Sequence, residues 1–287
     1  MAASEHKQSQ ALAQARSFLF VPGNRPERFI KAVNSGADVV VLDLEDAVPA
    51  ADKGSARQAI AQAWPQLGPA HVPVIVRMNA IESDMGQDDL QTMASLHDLS
   101  AVMLPKAETS RALAQAHAAL PQAALLPLIE SAAGYMALDD IAACTGVNRL
   151  VLGDIDFMAD TGLHASEAAT ELAPLRFAMA MATRIRQLAP PIDGVTADFR
   201  NDTLLRKDAE RALRFGFGAK LCIHPRQIPV LHAALVPTAE QVDWAQRVLA
   251  ADAAAGGSAV QLDGQMIDRP VVMQAQRVLA RMPSTER

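Results

Sequence analysis

The chain has 287 residues, of which 50% are hydrophobic and 20% charged, a balance that excludes disorder as its main state and suffices to bury a core. A formal charge of −6 argues against a nucleic-acid partner, which needs a basic surface. The two cysteines, Cys144 and Cys222, show no CxxC or Cys/His spacing; neither a disulfide framework nor a zinc site is suggested, and both read as small buried hydrophobes.

The first residues, Met1 to Arg16, are polar and rich in Gln and Ala, without the pattern of a signal peptide. No apolar run approaches the length of a membrane span, so a soluble cytoplasmic protein is expected. Beyond this segment, short β-branched runs alternate with longer stretches of helical spacing. The strand-like runs are Phe18–Val21, Val39–Leu44, Val74–Met78, Ala101–Leu104, Leu125–Ile129, Arg149–Leu152, Ile192–Thr196 and Lys220–Ile223. Most are continuously apolar, as strands buried on both faces of a parallel sheet are. Between them, helices are expected at Glu27–Ser35, Lys53–Trp64, Asp88–Leu96, Ser110–Leu120, Tyr135–Ala142, Leu172–Leu188 and Leu204–Phe215. Met179 and Met181 in the sixth of these read as core.

Strands and helices alternating in this way favour a (β/α)8 TIM barrel over an open doubly wound sheet. The turn after the first strand, Val21-Pro22-Gly23-Asn24-Arg25-Pro26, lacks the GxGxxG of a dinucleotide site, and no GxxxxGK[ST] occurs. Helix-like stretches at Thr238–Ala254 and Pro270–Met282 follow the last strand. The expected organisation is a flexible segment at 1–15, a barrel at 16–235, and a C-terminal helical extension at 236–287 that packs on a neighbouring subunit.

A barrel concentrates its chemistry at the C-terminal strand ends. Here those ends carry Asp43 and Glu45, Arg77, Lys106, Glu130, Asp154 and Asp156, and His224. Glu130 and Asp156 close successive strands, and two carboxylates without Cys or His suit Mg²⁺, an acid/base pair, or pairing with Arg77 and Lys106. Arg77 offers a planar fork for a carboxylate, so a small acidic substrate is suggested. His224 reads as a satisfied strand-end histidine, and Asp43 and Asp46 as groups orienting Lys106 or Arg77.

Eight segments, in order along the chain, resemble one family: RSFLFVPGNRPERFIKA from Arg16, ADVVVLDLEDAVP from Ala37, VRMN from Val76, MLPKAE from Met103, PLIESAAG from Pro127, LVLGDIDFMADTG from Leu150, GFGAKLCIHPRQI from Gly216 and DGQMIDRPVVMQAQ from Asp263. The family is the citrate lyase β subunit group of the HpcH/HpaI aldolases, with the malyl-CoA and citramalyl-CoA lyases. The resemblance implies a Mg²⁺-dependent barrel, usually trimeric, that makes or breaks a carbon–carbon bond between an acyl thioester and a keto acid. It implies Glu130 and Asp156 as metal ligands and Arg77, with the backbone N–H groups of Asp154 and Ile155, as the grip on the keto-acid carboxylate. Glu45 is implied as an acid near the metal, and Asp268 as the acid/base delivered to a neighbour's site. The expected substrates are CoA thioesters of citryl, malyl or citramalyl type, whose phosphates Arg25, Arg28 and Lys31 would meet unless they are solvated helix charges. Alternatives are a citrate lyase complex β subunit acting on a carrier-bound citryl group, and a non-catalytic barrel subunit.

Overall fold

The computed structural model describes residues 10–67, 70–256 and 259–282. Eight strands form a closed parallel barrel in sequential order: β1 (Ser17–Pro22), β2 (Val39–Asp43), β3 (Val74–Arg77), β4 (Ala101–Leu104), β5 (Ala124–Ile129), β6 (Val151–Leu152), β7 (Ile192–Asp193) and β8 (Ala219–Cys222). Closure comes from β1 pairing with β8, Phe18 opposite Leu221. Seven strands lie at or within two residues of the stretch expected from the apolar run; β7, expected at Ile192–Thr196, ends three residues early, at Asp193.

Side chains alternate across a strand, so residues two apart share a face. Phe18, Val41, Ile75, Met103, Leu128, Val151, Ile192 and Leu221 form one cluster that fills the barrel. Leu12 and Ala15 belong to the same cluster. Residues 10–14 (α1), expected to be flexible, are helical, and Leu12 is fully buried. Arg149, itself buried, fastens this plug: its Nη1 donates to Leu12 O at 2.9 Å and Ala15 O at 2.8 Å, and its Nε to Pro190 O at 2.6 Å. Residues 1–9 of the expected flexible segment lie outside the described residues.

The outer helices are α2 (Phe29–Val33), α3 (Lys53–Leu67), α4 (Asp84–Ala94), α5 (Ser110–Ala119), α6 (Ala132–Met136), α7 (Leu138–Ala142), α8 (Asp154–Thr161), α9 (Ala173–Arg186) and α10 (Asp202–Arg214). Ser83, Thr109, Ser131 and Asn201 cap α4, α5, α6 and α10 by accepting the backbone N–H of the third residue of each helix. On α9, Met179 is core but Met181 is 43% exposed, because residues two apart on a helix point to nearly opposite sides. Cys222 is buried as expected, whereas Cys144 is half-buried, its Sγ lying 3.3 Å from Asp140 O.

The chain divides into two compact units at Leu231 and His232, within α11 (Gln227–Leu235). The second unit pairs α12 (Ala239–Ala254) with α13 (Arg269–Ala280) around Ala245, Val248, Val272, Ala275 and Val278. Between them stands an antiparallel hairpin, β9 (Val260–Leu262) and β10 (Gln265–Ile267), that the helical periodicity does not reveal. Its turn is Asp263-Gly264, both with positive φ, as a two-residue hairpin turn requires. No helix among the described residues is long and apolar enough to cross a membrane.

Candidate active site

The interior face of the barrel continues upward into charge. Two residues beyond Val41, Ile75 and Leu128 stand Asp43, Arg77 and Glu130, so strand alternation turns all three to the interior face at the C-terminal mouth. Asp43 and Arg77 are also register partners across β2 and β3. Asp43 receives Arg77 two-pronged, from Nε at 2.7 Å and Nη2 at 2.6 Å, while accepting the Glu45 N–H at 2.9 Å. The Phe20 ring lies beneath the guanidinium, 4.7 Å from its carbon. Of the two orientations left open for Asp43, the structure shows the one toward Arg77.

The remaining Arg77 nitrogen, Nη1, is 2.7 Å from Glu45 Oε2 and 3.3 Å from Asp46 Oδ2. Glu45 Oε2 is buried, and although it is close in charge, no N–H is aimed along it. Burial pushes the Glu45 carboxyl up to about 8, Arg77 working against this and Glu130 adding to it. Asp46, 64% exposed, is the loosest of the three partners.

Glu130 is buried, and its Oε1 accepts the backbone N–H of Lys106 at 2.7 Å. That bond exists because Lys106 takes a left-handed backbone, φ 47°, in the turn after β4. Burial lifts the Glu130 carboxyl to about 7 against the pull of the Lys106 N–H. Asp156, half-buried in the first turn of α8, acts electrostatically on both Glu130 and Lys106. Gly153, the residue before α8, must lack a side chain here. A Cβ on it would come within 2.5 Å of Glu130 Cβ and 2.8 Å of Oε2.

Asp154 and Ile155 open α8, whose N-cap Gly153 supplies no side-chain cap, leaving that helix end suited to an anion. Ile155 is 48% exposed, and burial raises the Asp154 carboxyl to about 6, with Lys220 opposing.

The mouth therefore holds Asp43, Glu45, Asp46, Glu130 and Asp156 against Arg77 and Lys106. Among the described residues no three His, Cys, Asp or Glu side chains form a ready-made cage. The donor set is hard oxygen with an excess of negative charge. This fits a cation held by two carboxylates and completed by water and ligand oxygens, the habit of Mg²⁺.

A family model described as HpcH/HpaI aldolase/citrate lyase matches residues 16–225. The chain belongs to this family. A citrate lyase subunit beta-like protein of Mycobacterium tuberculosis is 36% identical over 275 residues, covering 94% of this chain and 96% of that protein. One of Deinococcus radiodurans is 34% identical over 279 residues, covering 93% and 97%. The crystal structure of protein CitE from Mycobacterium tuberculosis in complex with magnesium, acetoacetate and coenzyme A matches with a TM-score of 0.83 at 33% identity, covering 94% of this chain and 98% of that one.

In this HpcH/HpaI aldolase/citrate lyase chain the mouth rests on two buried networks that the strand-end reading missed. Lys53 Nζ donates to Leu44 O, Glu45 O and Asn79 Oδ1, each at 2.7 Å. Asn79 in turn donates to Asp89, which pairs with Arg57. Thus the backbone carrying Glu45 is held from below. On the far side, Asp193 takes Arg176 at 2.9 Å and Lys220 at 3.1 Å, all three nearly inaccessible. Burial alone would push the Asp193 carboxyl up; Lys220 and Arg176 overcome it and hold the group below the usual range. A lone Lys within a predicted helix carries no signal for such roles; an aspartate inside an otherwise apolar strand, as Asp193 is in the expected Ile192–Thr196 run, does.

Most of the other expected residues have local partners of their own. Arg25 is exposed and paired with Glu27 at 2.7 Å, and Lys31 is exposed on α2. His224, two residues past the end of β8, is satisfied as expected although exposed: its ring stacks on Phe199 at 4.6 Å, and Nδ1 accepts the Arg226 N–H at 3.1 Å. Asp268, exposed, caps α13 by accepting the Val271 N–H at 3.3 Å.

Proposed function

We propose that the protein is a Mg²⁺-dependent carbon–carbon lyase that cleaves, or forms, a 3-hydroxy acyl-CoA of citryl, malyl or citramalyl type, giving an acetyl thioester and a keto acid. The observation that carries this reading is the interior layer of Asp43, Arg77 and Glu130, with Asp156 acting on Glu130 across the mouth. Magnesium, a β-keto acid and coenzyme A together in the related CitE structure support the same chemistry and favour CoA over a protein-bound carrier.

Glu130 and Asp156 are the residues that would hold Mg²⁺. Bound there, it would act as a Lewis acid on the keto-acid oxygens. Arg77 contributes through Nη1, where a substrate carboxylate replaces the exposed Asp46 while Asp43 keeps the guanidinium plane fixed. The N–H groups at Asp154 and Ile155 extend that grip at the start of α8. Glu45, crowded between Arg77 and Glu130, tunes the charge beside the reacting oxygens. Asp268 of a neighbouring subunit takes the hydroxyl proton; as the carbon–carbon bond breaks, the hydroxyl oxygen becomes the keto-acid carbonyl, the electron pair passes to the thioester carbonyl as an enolate, and the same Asp268 returns the proton to its α-carbon to give the acetyl thioester. Arg25 and Lys31 meet the CoA phosphates. This division of labour needs an oligomer, which we infer to be a cytoplasmic homotrimer.

The test is cleavage of malyl-, citramalyl- and citryl-CoA with Mg²⁺ and with EDTA. We expect at least one to be cleaved, EDTA to abolish it, and Asp268→Asn to reduce it by about 10²-fold or more while keto acid still raises the melting midpoint. Cleavage undiminished by EDTA would sink the metal reading, and cleavage undiminished in Asp268→Asn the acid/base role.

A further inference from the structure

The buried lysines of this fold are fully committed. Lys53 makes its three bonds at 2.7 Å, and Lys220 binds Asp193 at 3.1 Å and Gly194 O at 2.6 Å. Lys106 is built differently. Its backbone N–H is fixed on Glu130 Oε1 at 2.7 Å by a left-handed conformation that L-residues adopt at a cost of about 1–2 kcal/mol. Its ammonium, by contrast, stands 3.9 Å from the same oxygen, beyond hydrogen-bonding range, on a side chain that is 54% exposed. One residue thus offers the same carboxylate a rigid donor and a movable charge. Lys106 also lines a cavity of about 140 Å³ whose wall includes Glu82 and Glu108, so its ammonium has acidic company to move toward.

We propose that Lys106 is a displaceable internal counter-cation: its backbone N–H aims Glu130, while its ammonium neutralises the Glu130–Asp156 pair until a divalent cation takes its place. Lysine suits this role because it is a hydrated point charge on a flexible stem, where arginine's fork would lock onto the carboxylate. The metal gains a carboxylate already aimed, and in return it must expel a positive charge. Lys106 is then a positioning residue with two opposed effects on metal binding, and it sets the affinity below what two bare carboxylates would give. The inference rests on the metal reading of Glu130 and Asp156 given above.

The experiment is calorimetric titration of EDTA-stripped full-length protein with MgCl2 at about pH 8.5, comparing the unaltered chain with Lys106→Met and Lys106→Arg. Removing one unit charge from a partly solvated mouth is expected to tighten Mg²⁺ binding about five- to tenfold in Lys106→Met. Lys106→Arg should stay within about twofold of the unaltered protein or weaken, since it retains the charge. In the absence of metal, Lys106→Met should melt below the unaltered protein and gain more from Mg²⁺. A merely structural lesion would loosen binding, so the sign of the change separates the two. Equal or weaker binding in a folded Lys106→Met protein overturns the inference and leaves the metal reading standing. Absence of Mg²⁺ binding in the unaltered protein overturns both.

Discussion

Glu45 and Glu130 carry the site's electrostatic signature, since burial raises both carboxyls, to about 8 and about 7. A carboxyl raised on folding contributes stability that is complete below its unfolded value near 4.5 and is lost as pH rises through the folded value. The metal-free protein should therefore melt lower as pH rises from about 5 to about 8, each group contributing on the order of a few kcal/mol. Mg²⁺ should restore the midpoint at the upper end. Glu130→Gln removes one of the two groups, so at about pH 8 it should melt above the unaltered metal-free protein and gain nothing from Mg²⁺. Melting curves in EDTA across this range check both statements; a midpoint rising with pH would contradict them. Gly153 gives a steric counterpart. A methyl group there meets Glu130 Oε2 at 2.8 Å, so Gly153→Ala should cost about 1–3 kcal/mol and weaken Mg²⁺ binding about tenfold or more. Mg²⁺ titration of that variant against its urea midpoint separates the two effects.

At the scale of elements, the apolar strands and the bodies of the longer helices were legible in the sequence, because composition is a local signal; the capped starts of α4, α6 and α10, at Asp84, Ala132 and Asp202, precede the expected starts by two to four residues. Helix α8 was not legible. Asp154-Ile155-Asp156-Phe157 follows an apolar strand without a break, and Gly153 gives no side-chain cap, so the helix looks like a strand-end loop. The missing cap is the property that suits the site, so the same feature that hides the helix equips it. Hairpin β9–β10 escaped because strands of three residues show no usable alternation. Likewise, Arg77, Glu130 and Asp156 could be placed at strand ends, but the partner of each could not. That Asp43 occupies two edges of Arg77, and that Glu130 is met by a lysine's backbone rather than its ammonium, depends on tertiary register. The Arg176–Asp193–Lys220 group ties α9 to the end of β7 and to β8. Asp193→Ala strands two buried cations and should destabilise by about 3–5 kcal/mol, read as a fall in the urea midpoint without a change of slope.

For the molecule as a whole, assigning Asp268 to a neighbour's site makes catalysis a property of the assembly. Two single variants, Glu130→Gln and Asp268→Asn, should each be inactive alone. Co-expressed in equal amounts, random mixing leaves about a quarter of the sites with both groups intact, so about a quarter of the activity should return. Recovery indistinguishable from zero in purified mixed oligomers would show that each barrel uses its own Asp268 or none. Barrel closure carries a different kind of consequence. The helical plug at residues 10–14 leaves the ribosome before any barrel strand, yet its fastener, Arg149, lies 137 residues beyond Leu12, and the strand that closes against β1 ends only at Cys222. A segment made ahead of the whole barrel is thus among the last to be seated. Folding of such long-range contacts is slow, and until β8 emerges the nascent chain has an open seam that chaperones or misfolding partners can reach.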